Sequence, residues 1–460
     1  MEKITGEVKF KEEKIVQIKE AIKNILDLKK EIEANLEKEI TQILEICLAG
    51  SIVLNASDIH IEKEEKKARM RIRTDGMLHD VYYFEFKTYH GLLSRIKLLS
   101  KIKLNITDRA QDGRFTVLFG DLPIEIRVSV LPSEYGESIV MRTLNPESLI
   151  EIEKLGVRED IFEVLKKEIQ QPNGMIIVTG PTGSGKTTTL YAILKRIQSP
   201  EIKIITIEDP IEYHLKGINQ TQVNVKKGYD FANGLRAVVR QDPDVILVGE
   251  IRDLETANIA LQAALTGHLV LTTLHTNDAA GTVARLQALG EKAINIAPAI
   301  NLAIGQRLAR KVCKKCAVFS KISEQELLFF KKNFKELPKK IKDINPVFAS
   351  LAQQGKQVFP ALARSQIEIP KIEQELKIPH AKAEGCDACN FSGYKGRIGV
   401  YEFFLNDSEI ENLILKSISI SDLRKAAREK GMVSMREDGL IKVLQGETCI
   451  EEINRVTMEE

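Results

Sequence analysis

The stretch Met175–Thr189 reads MIIVTGPTGSGKTTT. Its four apolar residues, Met175 to Val178, predict a short buried strand. Gly180-Pro181-Thr182-Gly183-Ser184-Gly185-Lys186-Thr187 then fits the phosphate-loop pattern G-x-x-x-x-G-K-[ST], with Thr188 directly behind it. Gly180, Gly183 and Gly185 let the backbone turn tightly and aim its N–H groups inward at phosphate oxygens. Lys186 supplies positive charge for the β- and γ-phosphates, and the Thr187 hydroxyl is a ligand for Mg²⁺. A helix from Ser184 to about Gln198 adds the positive end of its dipole. A chance match in a glycine-rich turn does not also bring a strand before it and a helix after it. The pattern implies a nucleoside triphosphate site.

Downstream, as far as about Ala309, strands and helices alternate. Lys203–Ile207 predicts a strand ending in Glu208-Asp209-Pro210-Ile211-Glu212. Val245–Val248 is a second, ending in Gly249-Glu250, and Leu269–Leu274 a third, bounded by His268 and His275. Helices are expected at about 231–240, 253–266 and 278–289. This alternation folds as an open, mostly parallel α/β sheet whose ligands sit beyond the carboxyl ends of the strands. Triphosphate hydrolysis needs metal-bound phosphates, a positioned water with an acceptor for its proton, and cations for the developing charge. Glu250 closes its strand in the manner of a Walker B acid, with Glu where Asp is commoner. Glu208, Asp209 and Glu212 close the neighbouring strand. Away from a phosphate loop such carboxylates are as readily helix caps. His268 and His275, taken alone, read as structural. Extended chain holds them about 23 Å apart, too far to share a zinc ion.

Upstream, residues 11–50 carry Ile15, Ile18, Ile22, Ile25, Ile32, Leu36, Ile40 and Ile43 among Lys and Glu. That spacing predicts a charged helix with one apolar stripe, packed on its own domain or docked on a partner. Residues 51–150 change to alternating runs, Ser57–Glu62, Ala68–Arg73 and Leu122–Leu131, with a helix near Gly91–Lys101. A small α+β domain follows. Arg71, Arg73, Arg114, Arg127 and Arg142 lie on or beside these strands. Singly each is a solvated residue, whereas in a ring of subunits such residues reach a neighbour's triphosphate as arginine fingers. Residues 151–174 form a linker that ends on the turn signal Gln171-Pro172-Asn173-Gly174.

The 460 residues have room for two to four domains. A formal net charge of +2 provides no global field for nucleic acid. No apolar run reaches the length of a membrane span, Met1–Phe10 lacks a signal-peptide core, and a cytoplasmic protein is expected. Four of the six cysteines form Cys313-Lys-Lys-Cys316 and Cys386-Asp-Ala-Cys389, while Cys47 and Cys449 read as buried thiols. Two Cys-x-x-Cys hairpins in a reducing compartment fit a tetrahedral four-cysteine Zn²⁺ site. Disulfides are disfavoured there, and a redox motif needs only one pair. A Lys- and Pro-containing insert, Ala317–Gly385, separates the hairpins, and residues 400–460 read as small helices.

Five segments occur in order: GPTGSGKTTTLYA, ITIEDPIEYHLKGINQTQVN, LRAVVRQDPDVILVGEIRD, TGHLVLTTLHTNDA and CDACNFSGYKGRIGVYE. From about Ile52 to Thr457 the chain thereby resembles the secretion ATPases of type IV pilus assembly and type II secretion. The resemblance implies a RecA-like, mostly parallel α/β ATPase core (175–310). A helical segment (1–50), a small α+β domain (51–150) and the linker (151–174) would precede it. A four-cysteine zinc module with its insert (311–399) and a helical C-terminal region (400–460) would follow. It further implies a homo-hexamer that hydrolyses ATP with Mg²⁺, sits peripherally on an inner-membrane platform protein, and has no nucleic-acid partner. In that scheme Lys186 and Thr187 hold phosphate and Mg²⁺. Glu212, the last acid of EDPIE, is the general base, and Glu250 binds Mg²⁺ directly or through water. His268 and His275 couple nucleotide state to domain position. Arg114 and Arg127 reach the nucleotide from the N-terminal domain, Arg236 and Arg240 lie in the GLRAVVRQDPD helix, and Cys313, Cys316, Cys386 and Cys389 hold zinc. Two features depart from the pattern: the insert between the cysteine pairs is long, and the region before Ile52 is too short for the docking domain of many relatives. Pilus assembly is the favoured activity and type II secretion the alternative. A retraction motor is disfavoured because retraction ATPases generally lack the four cysteines. A DNA-acting motor and a nucleotide-binding scaffold without turnover complete the alternatives.

Overall fold

The computed structural model describes residues 6–334, 377–417 and 419–457, so most of the insert between the cysteine hairpins lies outside the described residues. Contacts divide the chain into two compact units. The first is Met1–Ser148 with Cys313–Cys316 and Lys382–Lys395; the second is Leu149–Val312, Ala317–Ala381 and Gly396–Glu460.

In the first unit β1 (Glu7–Phe10) leads into α1 (Glu12–Ala21), α2 (Ile25–Glu33) and α3 (Ile40–Val53). Then come β2 (Asp58–Lys63), β3 (Ala68–Thr74), β4 (Met77–Phe84), α4 (Phe86–Leu99), β5 (Gln111–Phe119), β6 (Leu122–Ser133) and β7 (Gly136–Leu144). The strands make one sheet in the order β1-β5-β6-β7-β2-β3-β4. Period-two alternation decides its faces: in β3 Ala68, Met70 and Ile72 are buried while Arg69, Arg71 and Arg73 point to the other side. Residues 11–50, expected as a single striped helix, are instead three helices. Asn24 breaks the run by capping α2, its side chain accepting the Asp27 N–H at 3.0 Å. The stripe itself is buried against the sheet: Ile15, Ile22, Ile25, Leu28, Ile32 and Ile43 belong to one core with Ile59, Met70 and Val128. Each such side chain contributes about 1.5–3 kcal/mol on burial, enough to bind these helices to the domain.

The second unit begins with α5 (Glu159–Glu168), β8 (Gly174–Thr179), α6 (Lys186–Ile197), β9 (Ile204–Glu208), β10 (Asn219–Gln222) and α7 (Phe231–Val239). It continues through β11 (Val245–Val248), α8 (Leu254–Leu265), β12 (Leu269–Leu274), α9 (Gly281–Leu289), α10 (Ala293–Ile296) and β13 (Ile300–Val312). The strand order is β10-β9-β11-β12-β8-β13-β16, where β16 is Tyr394–Leu405. The first six of these strands are mutually parallel. All six residues of β8 are buried, as a strand covered on both faces requires. Asp230 and Asp253 cap α7 and α8 through the N–H groups of Asn233 and Thr256, each at 2.8 Å. The chain returns past β8 to β13 after building β9, β11 and β12 on its other side, so the end of β8 lies at a topological switch point.

An antiparallel pair of strands, β14 (Val318–Lys321) and β15 (Lys377–His380), forms a separate two-stranded sheet, with α11 (Glu324–Phe334) following β14 in the chain. Four helices close the chain: α12 (Ser408–Leu415), α13 (Ile420–Glu429), α14 (Met435–Leu444) and α15 (Ile450–Thr457). Strand β16, where the sequence suggested only helices from residue 400, is the edge of the large sheet.

Candidate functional site: the phosphate-loop edge of the parallel sheet

Strand β8 ends at Thr179, whose Oγ1 donates to the carbonyls of Leu274 at 3.0 Å and Thr276 at 3.1 Å. The following loop therefore starts from a point tied to the end of β12. Gly180, Gly183 and Gly185 have φ of 149°, 81° and 87°, conformations that side chains resist. Gly180 also lacks room, because a Cβ there would meet Gln306 O at 2.4 Å. Lys186 opens α6 and folds its ammonium back on the loop, donating to Gly180 O at 2.8 Å and Pro181 O at 3.1 Å. Burial pushes the Lys186 ammonium below the ordinary lysine range; Glu250 opposes this and Arg307 adds to it. The Ser184 Oγ is buried and has no hydrogen-bond partner among the described residues. A concave glycine backbone, a helix N-terminus, an orphaned hydroxyl and a partly desolvated cation together fit a polyphosphate.

The acids divide into two roles. Glu250 lies just past β11, with Oε2 3.5 Å from His275 Nε2 and a close ion pair to Arg252. Lys186, Glu250 and His275 thus gather at the carboxyl edge of three adjacent strands, β11, β12 and β8. Glu208 is used internally. Buried at the end of β9, it accepts from Thr206 Oγ1 at 2.5 Å, Gln220 Nε2 at 3.2 Å and the Tyr191 hydroxyl. Burial and that carboxylate push the Tyr191 phenol well above its ordinary range. Glu212 is half-buried in the connection between β9 and β10.

The two histidines of the TGHLVLTTLHTNDA segment separate. His268 lies at the amino end of β12, its Nδ1 3.0 Å from Ala263 O and its carbonyl accepting the Gly174 N–H. Only His275 is at the phosphate-loop edge. Arg236 pairs with Glu255 on α8. Arg240 ends α7 beside Gln241, whose carbonyl takes the Lys203 ammonium ahead of β9, so Arg240 lies toward the amino edge of the sheet.

Arg114 and Arg127 belong to the first unit, where strand register aligns them. Arg114 on β5 is opposite Arg127 on β6, Arg127 opposite Arg142 on β7, Arg142 opposite Asp58 on β2, and Asp58 opposite Arg73 on β3. Directly opposed residues share a face, so four arginines and one aspartate form a row across five strands. Asp58 holds Arg142 at 3.1 Å and Arg73 at 3.3 Å. Glu125 lies 3.4 Å from Arg127 and 3.9 Å from Arg114.

A profile of the family described as type II/IV secretion system protein matches residues 33–455. The chain belongs to that family. It is 39% identical over 428 residues to the type IV pilus assembly ATPase PilB of Thermus thermophilus, covering 93% of this chain and 43% of that protein. It is 41% identical to PilB of Pseudomonas aeruginosa, covering 90% and 66%. It is 38% identical to type II secretion system protein E of Aeromonas hydrophila, covering 93% and 78%. The chain therefore spans between about half and three quarters of these relatives' lengths. Among solved structures, the Legionella pneumophila ATPase DotB has the same fold, with a TM-score of 0.62 at 22% identity over 90% of this chain and 95% of that one. The pilus retraction motor PilT with bound ADP matches with a TM-score of 0.56 at 26% identity, over 91% and 97%.

This type II/IV secretion system protein has a second centre. The sulfurs of Cys313, Cys316, Cys386 and Cys389 all lie within 4.8 Å of one another. Three of the pairs, 313–386, 316–389 and 386–389, are at 3.8 Å. Four sulfurs each about 2.3 Å from one Zn²⁺ form a tetrahedron with edges of about 3.8 Å, whereas a disulfide requires about 2.05 Å. Burial raises the Cys389 thiol, but the N–H groups of Cys386 and Gly393 aimed at its sulfur outweigh this and bring it down to about 7. The donor set fits a zinc ion. The centre also holds a helix: Asn390, with φ of 50°, accepts the N–H of Ile25, the first residue of α2, at 2.9 Å.

Sequence reasoning passed over Gln306 and Arg307, which adjoin the phosphate loop from β13, and Tyr191, which anchors Glu208. None lies in a pattern with a chemical signature. Asn390 sits beside a cysteine, but its partner is 365 residues away.

Proposed function

We propose that this chain is a magnesium-dependent ATPase that works as a homo-hexamer and powers type IV pilus assembly. It would act from the cytoplasm on an inner-membrane platform protein. The observation that carries the reading is the meeting of Lys186, Glu250 and His275 at the end of β8, on a loop shaped for polyphosphate. Kinship with proteins named PilB at about 40% identity supports the pilus role, and no helix among the described residues is long and apolar enough to cross a membrane.

In this mechanism the loop from Gly180 to Thr188 binds the phosphates, and Lys186 exchanges its carbonyl partners for phosphate oxygens. Thr187 and Glu250 are the residues to hold Mg²⁺, which when bound neutralises phosphate charge and orients the chain for in-line attack. Glu212 accepts the proton of the attacking water; the new P–O bond forms at the γ-phosphorus as the bond to the bridging oxygen breaks, leaving ADP and phosphate. His275 reports the state of Glu250 to the loop after β12. His268, at the far end of β12, would act on domain position. Arg114 and Arg127 serve as cations for a neighbouring subunit's nucleotide, and Arg236 and Arg240 are further nucleotide-binding cations. Cys313, Cys316, Cys386 and Cys389 hold structural Zn²⁺.

Type II secretion is the second reading, since a protein of that name matches as closely as the pilus proteins do. Electron microscopy of cell surfaces separates the two. Loss of pili on deletion, restored by the intact gene and not by Lys186→Ala, supports pilus assembly. Unchanged pili with lost exported proteins overturn it in favour of secretion.

A further inference from the structure

Arg307 on β13 is 8% exposed, and among the described residues it has no carboxylate within ion-pairing distance. Buried guanidinium groups are ordinarily paired with an acid. This one is held by two neutral carbonyls: Nη1 donates to Gln306 O at 3.2 Å and Nη2 to Asn277 O at 2.9 Å. Asn277 follows β12, and β8 runs between β12 and β13, so the side chain crosses the end of the phosphate-loop strand. Its Nη1 would lie 3.3 Å from a Cβ on Gly180. The segment it grips contains His275, 3.5 Å from Glu250, and Thr276, whose Oγ1 is 2.7 Å from that of Thr179.

We propose that Arg307 is a positioning residue that straps the His275 segment to the first turn of the phosphate loop, and that bound triphosphate loosens the strap. Phosphate and carbonyl compete for the guanidinium. An ionised oxygen offers a guanidinium the full attraction of opposite charges and a bidentate grip, neither of which a single neutral carbonyl provides. Phosphate placed on the loop therefore draws the guanidinium from Asn277 O, freeing residues 275–280 and, with them, the contact between His275 and Glu250. The inference rests on the ATPase reading above and adds to it a route from phosphate to His275.

The test is hydrogen exchange over residues 275–280, with and without a non-hydrolysable ATP analogue and Mg²⁺, in wild type and Arg307→Lys, with analogue affinity and turnover measured alongside. A single ammonium lacks the planar fork that spans two carbonyls. Wild type should exchange faster when the analogue binds. Arg307→Lys should exchange fast already without nucleotide, keep analogue affinity within about threefold, and lose about tenfold or more in kcat. Unmoved wild-type exchange on analogue binding, or full kcat in Arg307→Lys, overturns the strap. A wild type that responds to the analogue yet never hydrolyses ATP would retain the strap and defeat the ATPase reading instead. A melting curve confirms that the variant is folded.

Discussion

Glu208 and Glu212 stand four residues apart, yet the structure gives them different surroundings. Glu208 receives three donors in a buried pocket, one of them from Tyr191 on α6. Replacement by Gln should cost about 1–3 kcal/mol in denaturant unfolding, because one buried donor loses its acceptor, while the KM for ATP stays near wild type. Glu212→Gln should do the opposite, leaving stability and ATP binding unchanged and lowering kcat by about 10²–10⁴, measured by steady-state phosphate release. The sequence made both acids candidates because both close one strand. The strand pattern by itself does not rank them, and only the family resemblance singles out Glu212, since the partner that occupies Glu208 lies 17 residues upstream on another element. The phosphate loop was legible in full, because its chemistry is contained in eight consecutive residues.

Elements were legible where their periodicity was their own. Strands β8, β11 and β12 and helices α6 to α8 follow the sequence expectation within a few residues. Missed elements depend on distant partners: β1 exists because it pairs with β5, and β16 because it borders β13. Helix α14 shows how strongly such contacts bind. Asp438 accepts from Arg158 at 3.0 Å and from the Tyr401 N–H at 2.8 Å, and pairs with Lys442, all in a buried setting. Asp438→Asn leaves the buried Lys442 without its acid and Arg158 with Asp160 alone, and should lower unfolding stability by about 3–5 kcal/mol in a denaturant titration. Glu452 on α15 has a pH signature. Burial would raise its carboxyl, but Arg455 and Arg310 outweigh that and hold it below the ordinary range. The stability it contributes is full above the unfolded value of about 4.3 and is lost as pH falls through its lower folded value. Glu452→Gln should therefore flatten the acid limb of the wild-type stability curve. The cysteine centre makes a further prediction. Zinc should be present at one per chain, and chelation or Cys386→Ser should speed hydrogen exchange in α2, whose first N–H is held by Asn390. Unchanged exchange in α2 after complete metal loss would contradict the coupling.

At the scale of the whole molecule, two compact units carry the two halves of the proposed chemistry, arginines on one and the phosphate loop on the other. The sequence showed the arginines but not their row, because register across β5, β6, β7, β2 and β3 is a product of folding. If Arg127 serves a neighbouring chain, Arg127→Ala should reduce turnover by about 10³-fold or more. Mixing it with Lys186→Ala chains should then restore part of the lost rate, since mixed rings contain some sites with both residues intact. Absence of restoration in rings shown to be mixed would remove the trans role. Beneath that lies the central claim, that this edge of the sheet hydrolyses ATP. The most direct measurement is phosphate release from ATP by purified wild type and Lys186→Ala, each with Mg²⁺ and with chelator. The account predicts release by wild type with Mg²⁺ alone and a loss of at least about 10²-fold in the variant. Wild type that binds ATP and Mg²⁺ but releases no more phosphate than Lys186→Ala would contradict it, leaving a nucleotide-binding scaffold.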